Sequence, residues 1–442
     1  MSVATSLASR LAPAARPPGL YFEDRVPDAA PASTLASGVP VFVGFAQPRA
    51  DVVERAGAQT VLIERWDARK FDATVAPAPQ SHLALAVRGF FANGGRRCVV
   101  FAVPPGYGVD ARAGMINALR RGGPLEDRSD VDLVCVPDAM SSLLSTAGDH
   151  DEIHAHALAH CEAMGDRFAI LDAPRAVAIP PERDIDEAAA TENAVRAMLR
   201  QAAAQRSAFG ALYFPWIAVG AGSEASPSTA DIARAQWRCP PAPDRRAQRQ
   251  WFLPPCGHVA GLYARIDERV GAQRSPANEA LEGVIDTSLH FSAEQHGRLN
   301  AGGVNGLRTR HERGVEVGGA RTLSGHAQWA HVSTARVVLG FRRWLAVGLR
   351  EFVFEPHTTL LWDRIRTRLI SHCLDLFSAG ALAGTEAAQA FFVQCDAETN
   401  PPDGRDLGRV VAHVGLAPSV PTEFIWVRVV HDACGSTISG LS

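Results

Sequence analysis

Apolar residues along this chain follow two alternating periods. Short continuous runs read as buried strands: VPVFVGFA (39–46), QTVLIERW (59–66), RRCVVFAV (96–103), VDLVCVPD (131–138), RFAILDAP (167–174) and GALYFPWIAV (210–219). Between them, apolar positions recur at helical spacing in SHLALAVRGFFANGG (81–95), AGMINALRRGG (113–123), HDEIHAHALAHC (150–161) and DEAAATENAVRAMLRQAAAQ (186–205). Gly94 and Gly95 close the first of these helices. Strand and helix in alternation predict an α/β unit with a mostly parallel sheet. Residues 221–248 are polar and rich in Pro and Arg, which predicts a surface loop. GHVAGLYARIDERVG (257–271) reads as a helix closed by Gly271, and residues 303–323 as two strands turning near residues 312–314.

The grammar then changes. Ser333 to Phe352 and Leu360 to Phe377 read as two helices, the second stopped by Gly380. Three strands follow without helices between them, in AAQAFFVQCD (387–396), GRVVAHVGLAP (408–418) and TEFIWVRVV (422–430). Two helices and a meander predict an α+β unit with an antiparallel sheet. The expected fold is therefore α/β and α+β, multidomain. Its divisions are an N-terminal arm and linker (1–38), an α/β part (39–332), an α+β part (333–430) and a C-terminal tail (431–442). The arm is rich in Ala, Pro and Ser, with one island, PGLYFEDR (18–25), that reads as a short strand without a nearby partner.

Composition adds limits. A chain of 442 residues with 47% hydrophobic and 21% charged residues is globular and long enough for several cores. A net charge of -3 gives no electrostatic case for nucleic acid, and Lys70 is the lone lysine among the basic residues. Eight scattered cysteines without a Cys-x-x-Cys pair predict buried free thiols in a reducing compartment. The N-terminus lacks an apolar core of the secretory type, and no stretch has the length and apolarity of a membrane span. Synthesis in the cytoplasm is expected, with no direct membrane insertion.

Candidate chemistry is thin. The stretch from His150 to His160 puts His150 with His154, and His156 with His160, one helical turn apart, a spacing that suits zinc. Glu152, however, is one place late for the His-Glu-x-x-His arrangement. Ile153, Ala157, Leu158 and Cys161 would face the core, leaving the histidines on the wetter side. Cys256 and His258 are a loop pair, and Asp396 with Glu398 reads as a turn cap before Asn400-Pro401-Pro402. Phosphate-loop and nucleophile-elbow patterns are missing. The expectation is no catalytic residue, no cofactor and no metal. Unpaired strands matter more, because exposed edges recruit strands of other chains.

The segments carry a likeness to one family. Phe354-Glu355-Pro356, Trp362, Gly380-Ala381-Leu382, Phe392 to Pro402 and Gly415 to Phe424 together resemble the C-terminal domain of contractile tail sheath proteins. PPCGHVAGLYAR (254–265), the segment 299–324 and PGLYFEDR are similar to other segments of the same family, in the same order. Gly318 stands where that family usually has Trp, and Cys256 replaces a common Ser. The resemblance implies an outer α/β domain, an inner C-terminal domain and extended arms. It implies a helical homo-oligomer of stacked hexameric rings around an inner tube protein, bounded by baseplate and terminal cap proteins. Contraction would drive the tube through a target membrane, and the subunit would leave the cell within a phage or phage tail-like particle. Strand exchange between subunits would fall to Leu20, Tyr21, Phe22, Glu23, Phe424, Ile425, Trp426 and Val427, and tube contact to Asp363, Arg364, Arg366 and Arg368. The alternatives are a non-contracting baseplate-proximal or cap paralogue, and a zinc hydrolase on the His150–His160 helix.

Overall fold

The computed structural model describes residues 37–48, 60–144, 146–175, 187–220, 250–310, 313–402, 409–418, 424–432 and 435–441. The expected strand at Leu20 to Glu23 and the expected loop at 221–248 lie outside them. The strands in chain order are β1 (Pro40–Phe45), β2 (Thr60–Ile63), β3 (Cys98–Val103), β4 (Leu133–Cys135), β5 (Phe168–Asp172), β6 (Gly210–Phe214), β7 (Ile217–Gly220), β8 (Gln250–Leu253), β9 (Val284–Thr287), β10 (Val304–Arg310), β11 (Gly314–Val317), β12 (Phe391–Gln394), β13 (Val410–Leu416), β14 (Ile425–Asp432) and β15 (Gly435–Leu441). The helices are α1 (Ala68–Val75), α2 (Leu83–Ala92), α3 (Val109–Leu119), α4 (Ala147–Met164), α5 (Glu187–Ala204), α6 (Cys256–Arg269), α7 (Ala293–Ala301), α8 (Val332–Gly348), α9 (Thr359–Ser378) and the single turn α10 (Ala387–Ala390).

The large sheet runs β11-β10-β6-β5-β4-β1-β3-β2. Its six central strands are parallel, and β2 and β11 are antiparallel edges. Side chains in β1 alternate between two cores, as the period of a strand demands. Val41, Val43 and Phe45 join a core with Ala111, Met115, Ile153 and Val195 from α3, α4 and α5. Phe42 points to the opposite core, with Phe90 of α2 and Val259 and Tyr263 of α6. Both faces are covered, which explains why these strands read as unbroken apolar runs.

Helices α2 and α6 cross with their backbones close. A side chain on Gly257 would overlap the Ala86 carbonyl, and one on Gly261 the Phe90 carbonyl. The spacing Gly257-x-x-x-Gly261 is thus a packing device that lets the helices approach.

Helix α8 bridges two cores. Its first half gives Val332, Ala335 and Leu339 to the core under α6. Its second half gives Phe341, Trp344 and Leu345 to a third core with Leu361, Ile365 and Leu369 of α9. The antiparallel sheet β12-β13-β14-β15 closes that core through Val414, Leu416, Val427 and Val429.

Four expectations change. GALYFPWIAV is not one strand: a cis peptide at Phe214-Pro215 separates β6, in the large sheet, from β7, in a three-stranded sheet β8-β7-β9. Proline has no N–H to continue a ladder. The helix of residues 113–123 begins earlier, at Val109, and the helix expected to Phe352 ends at Gly348, before a 3-10 turn over Arg350–Phe352. Helix α7 carried no clear apolar period, because only His296 and Leu299 of it are buried. Residues 435–441, within the expected C-terminal tail, form strand β15, paired with β14 from Asp432↔Gly435 onward. Small polar residues hid that strand from an apolar-run reading, because its stabilisation comes from the backbone ladder.

Candidate functional site

The place where an open α/β sheet normally takes a ligand is closed here. Strand β1 has β3 on one side and β4 on the other, a switch point of the sheet order. A 3-10 turn over Pro137–Met140 follows β4 and inserts Asp138 there, fully buried. Its carboxylate accepts from the Phe45 N–H at 2.6 Å, the Ser81 hydroxyl at 2.5 Å and the His82 N–H at 2.5 Å. Burial pushes Asp138 up to about 6 against these donors. Trp216 meets the His82 ring edge-on. The protein's own groups occupy the position a substrate would take.

The His-rich helix is α4, and two of its four histidines are not on the wet side. His154 and His160 are buried, with Ile153, Ala157, Leu158 and Cys161. The reason is that α4 is covered on more than one side. Glu152 pairs with Arg112 of α3 at 2.8 Å, and Asp151 accepts from Gln201 of α5 at 2.9 Å. His160 Nε2 lies 3.2 Å from the fully buried guanidinium of Arg167, which donates to the carbonyls of Leu125 and Arg128. Burial pushes His154 down to about 3 and His160 to about 4. Among the described residues no three His, Cys, Asp or Glu side chains are grouped to hold a metal ion. Cys256 opens α6 and donates its N–H to Asp172 at 2.7 Å, inside the core. Burial raises its thiol well above the ordinary range, which disfavours the thiolate that a nucleophile beside His258 would need.

Asp396 and Glu398 do build a turn. The Asp396 carboxylate accepts from the N–H groups of Glu398 at 2.9 Å and Thr399 at 3.2 Å. This loop delivers Asn400, 2% exposed, to the edge of β13 beyond the end of β12. Asn400 accepts from the Val411 N–H at 2.7 Å and donates to its carbonyl at 3.0 Å. One side chain thereby stands in for a missing strand.

Of the residues expected at subunit contacts, Leu20 to Glu23 lie outside the described residues, and the others fall in this C-terminal part. Ile425 and Val427 face the core, each 1% exposed. Trp426 faces out, and its ring meets Phe392, which also meets Phe424. The cluster sits over Gly415, in register with Phe392 and Trp426. β14 is an inner strand, paired with β13 and β15. On α9, Arg364 is held by Glu355 at 2.7 Å and lies over the Phe352 ring. Arg368 lies over Trp344, 3.8 Å from Glu351. Asp363 and Arg366 are exposed and make no ion pair among the described residues.

Sequence reading missed the cluster where the chain enters the fold. Arg336 of α8 donates to Asp267 of α6 at 2.8 Å and lies 3.6 Å from Asp132 at the start of β4. Asp132 accepts from the N–H groups of Gly38 at 3.0 Å and Val39 at 2.6 Å, and Ser37 donates to Asp267 at 2.6 Å. The guanidinium also lies over the Tyr263 ring. Burial alone would lower Arg336, but the Asp267 carboxylate raises it overall, so the cation stays charged. The hydrogen-bonded partners in this cluster are 69 to 299 positions apart in sequence, so no local signal announces them.

Among the described residues no helix is long and apolar enough to cross a membrane. Residues 128–323 match the phage tail sheath protein central domain family. No curated protein matches the chain. Solved structures match along most of its length. A chain of the six-fold symmetrised baseplate of the anti-feeding prophage superposes with a TM-score of 0.64 at 25% identity, over 93% of this chain and 98% of that one. The helical sheath of the same prophage in its contracted state gives 0.63 at 25% identity, over the same shares. The contracted PVC sheath complex of an extracellular contractile injection system gives 0.60 at 22% identity, over 94% of this chain and 97% of that one, and shows the shared fold. The central segment thus matches the phage tail sheath protein central domain, and the chain shares its fold over most of its length with solved sheath and baseplate chains of contractile injection systems.

Proposed function

We propose that this chain is the subunit of a contractile sheath that polymerises as stacked hexameric rings around an inner tube and contracts to drive that tube through a target membrane. It takes no nucleotide and performs no catalysis; the driving free energy lies in two alternative packings of the same subunits. The observation that carries this reading is the likeness to a sheath solved in its contracted state, over 93% of this chain. The closed sheet crevice and the buried histidines support a non-enzymatic role. Assembly would take place in the cytoplasm, before release within a particle that also holds baseplate and cap proteins.

Subunits stay linked during contraction by strand exchange. The C-terminal sheet has two edges, β12 and β15. β15 has the sequence GSTISGL, with two apolar side chains, so its transfer between copies exchanges one backbone ladder for an equal one. Leu20 to Glu23 supply a further strand to a neighbour's edge. Deleting residues 1–24 should leave a folded monomer that forms no tubes. Tubes like those of the full chain from that truncation would end this part of the reading.

Asp363 and Arg366 face the tube, since Arg364 and Arg368 are engaged within the chain. Arg366→Glu should lower co-sedimentation with the inner tube protein about tenfold, with a salt dependence the parent also shows. Unchanged co-sedimentation would exclude this contact.

Negative-stain electron microscopy of the chain expressed alone tests the central claim. Long striated tubes are expected. Monomers or single rings would favour a non-contracting paralogue beside the baseplate or cap, a second reading supported by the likeness to a baseplate chain.

A further inference from the structure

We propose that Phe354 of one copy seats in an apolar cleft beside α8 of a second copy, forming a head-to-tail contact. This rests on the reading of the chain as a polymerising subunit, and names one of the contacts that would hold the polymer.

The knob is an unusual residue. Phe354 follows the 3-10 turn after α8 and is 87% exposed, the largest exposure of any large apolar side chain among the described residues. Its φ is 70°, a left-handed conformation that a residue with a side chain rarely adopts. An isolated fold gains nothing from holding a phenyl ring in water on such a backbone. The turn is nevertheless firmly set. Phe352, two residues earlier, is buried under Arg364, and Glu355, the next residue, is clamped by the same guanidinium. The ring is thus presented rigidly, so little conformational freedom is lost on docking.

The hole lies elsewhere on the chain. A cleft of about 350 Å³ opens between the C-terminal part of α4, the turn before β6, and α8. Phe209, Trp329, Val338 and Leu339 line it, with Glu162 and Arg342 among its polar groups. Arg342 is half-buried and has no ion pair among the described residues; burial lowers its pKa, offset only in part by Asp166. Such a cleft suits an aromatic ring that arrives beside a carboxylate. Phe354 arrives with Glu351, which is 57% exposed at its side chain and held only loosely, at 3.8 Å, by Arg368. Knob and hole are different surfaces of one chain, so each copy can engage two others in a head-to-tail contact.

The test removes each half separately. Phe354→Ala deletes the knob, and Ala208→Trp fills the cleft, whose wall includes the half-buried Ala208. Both should keep the thermal midpoint of the parent as monomers. Each should raise the critical concentration for tube formation at least about tenfold, as loss of one buried phenyl ring predicts. Phe354→Leu, which keeps an apolar knob, should stay close to the parent. A third variant carrying Phe354→Cys and Ala208→Cys, treated with a short bismaleimide, should give a ladder of linked chains. Peptide mapping should join 354 to 208. If the parent forms tubes but Phe354→Ala assembles equally well and no 354–208 link appears, this contact is wrong while the sheath reading stands. If the parent forms no tubes, the sheath reading fails, and a missing 354–208 link in the double-cysteine variant overturns the contact as well. Should Ala208→Trp fail to fold, Phe354→Ala and the cross-link decide alone.

Discussion

Replacing Arg336 by methionine should cost about 3–5 kcal/mol of folding stability, the largest loss we expect from a single side chain here. Asp267 and Asp132 would be left in the core with Arg343, 3.8 Å from Asp132, as the remaining cation. Their side chains are 2% and 8% exposed, so water cannot take over the lost partner. The damage should also reach the entry of the chain. Ser37, Gly38 and Val39 are bound by the same two carboxylates, and Val39 leads directly into β1. Arg336→Lys keeps the charge but loses the two-pronged bond to Asp267 and should cost less. Urea denaturation of the three proteins gives the comparison. A loss below about 1 kcal/mol for Arg336→Met would mean the cluster is no more than neutral, which surface ion pairs often are.

Acid should unfold the subunit over a window set by its buried histidines. Burial pushes His82, His160 and His372 down to about 4, and His154 and His258 to about 3. In the fold these rings stay neutral well below 6.5, while in the unfolded chain they take protons from about 6.5 downward. Unfolding therefore binds protons, and stability is lost as pH falls from about 6.5 toward the folded values. Two aspartates oppose this. Burial raises Asp138 to about 6 and Asp172 to about 7, so they hold protons in the fold that the unfolded chain releases. Five histidines against two aspartates leave about three protons bound on unfolding near pH 5, each worth about 1.4 kcal/mol per pH unit. His160 and His372 are less completely enclosed and contribute less. The urea midpoint should therefore fall steeply between pH 6 and 4.5. His154→Leu should reduce the slope by about one proton and raise stability at pH 5, because neither ring nitrogen has a hydrogen-bond partner among the described residues. A pH slope identical in parent and variant would show that His154 already titrates normally in the fold.

Much of the fold was legible along the chain. Strands β1, β3, β4 and β5 stood out because both their faces are buried and their residues are apolar without interruption. Helices α2, α4, α5, α6 and α9 carried a helical period and glycine or polar ends. The family resemblance rested on motifs whose work is now visible. Gly257 and Gly261 admit α2, Thr399 holds the turn at Asp396, and Asn400 finishes the edge of β13. Strand β15 was not legible, since a ladder of backbone hydrogen bonds needs no particular side chains. The break between β6 and β7 was marked only by Pro215, which a continuous apolar run concealed.

The sequence by itself showed most of the strands and helices, the change of pattern from alternating strand and helix to helices and a meander, and the likeness to tail sheath proteins. These depend on periodicity and on residues close together in the chain. Only the tertiary structure decided which side of α4 is wet. A helical period shows one apolar face, but α4 is packed by α3 and α5 as well as by the sheet, and that enclosure buries His154 and His160. Tertiary structure also brought Ser37, Asp132, Asp267 and Arg336 together, divided the charged face of α9 into engaged and available groups, and left Phe354 exposed. The physical reason is common to all of them. Burial and charge pairing are set by neighbours distant in sequence, and those neighbours exist only once the chain has folded.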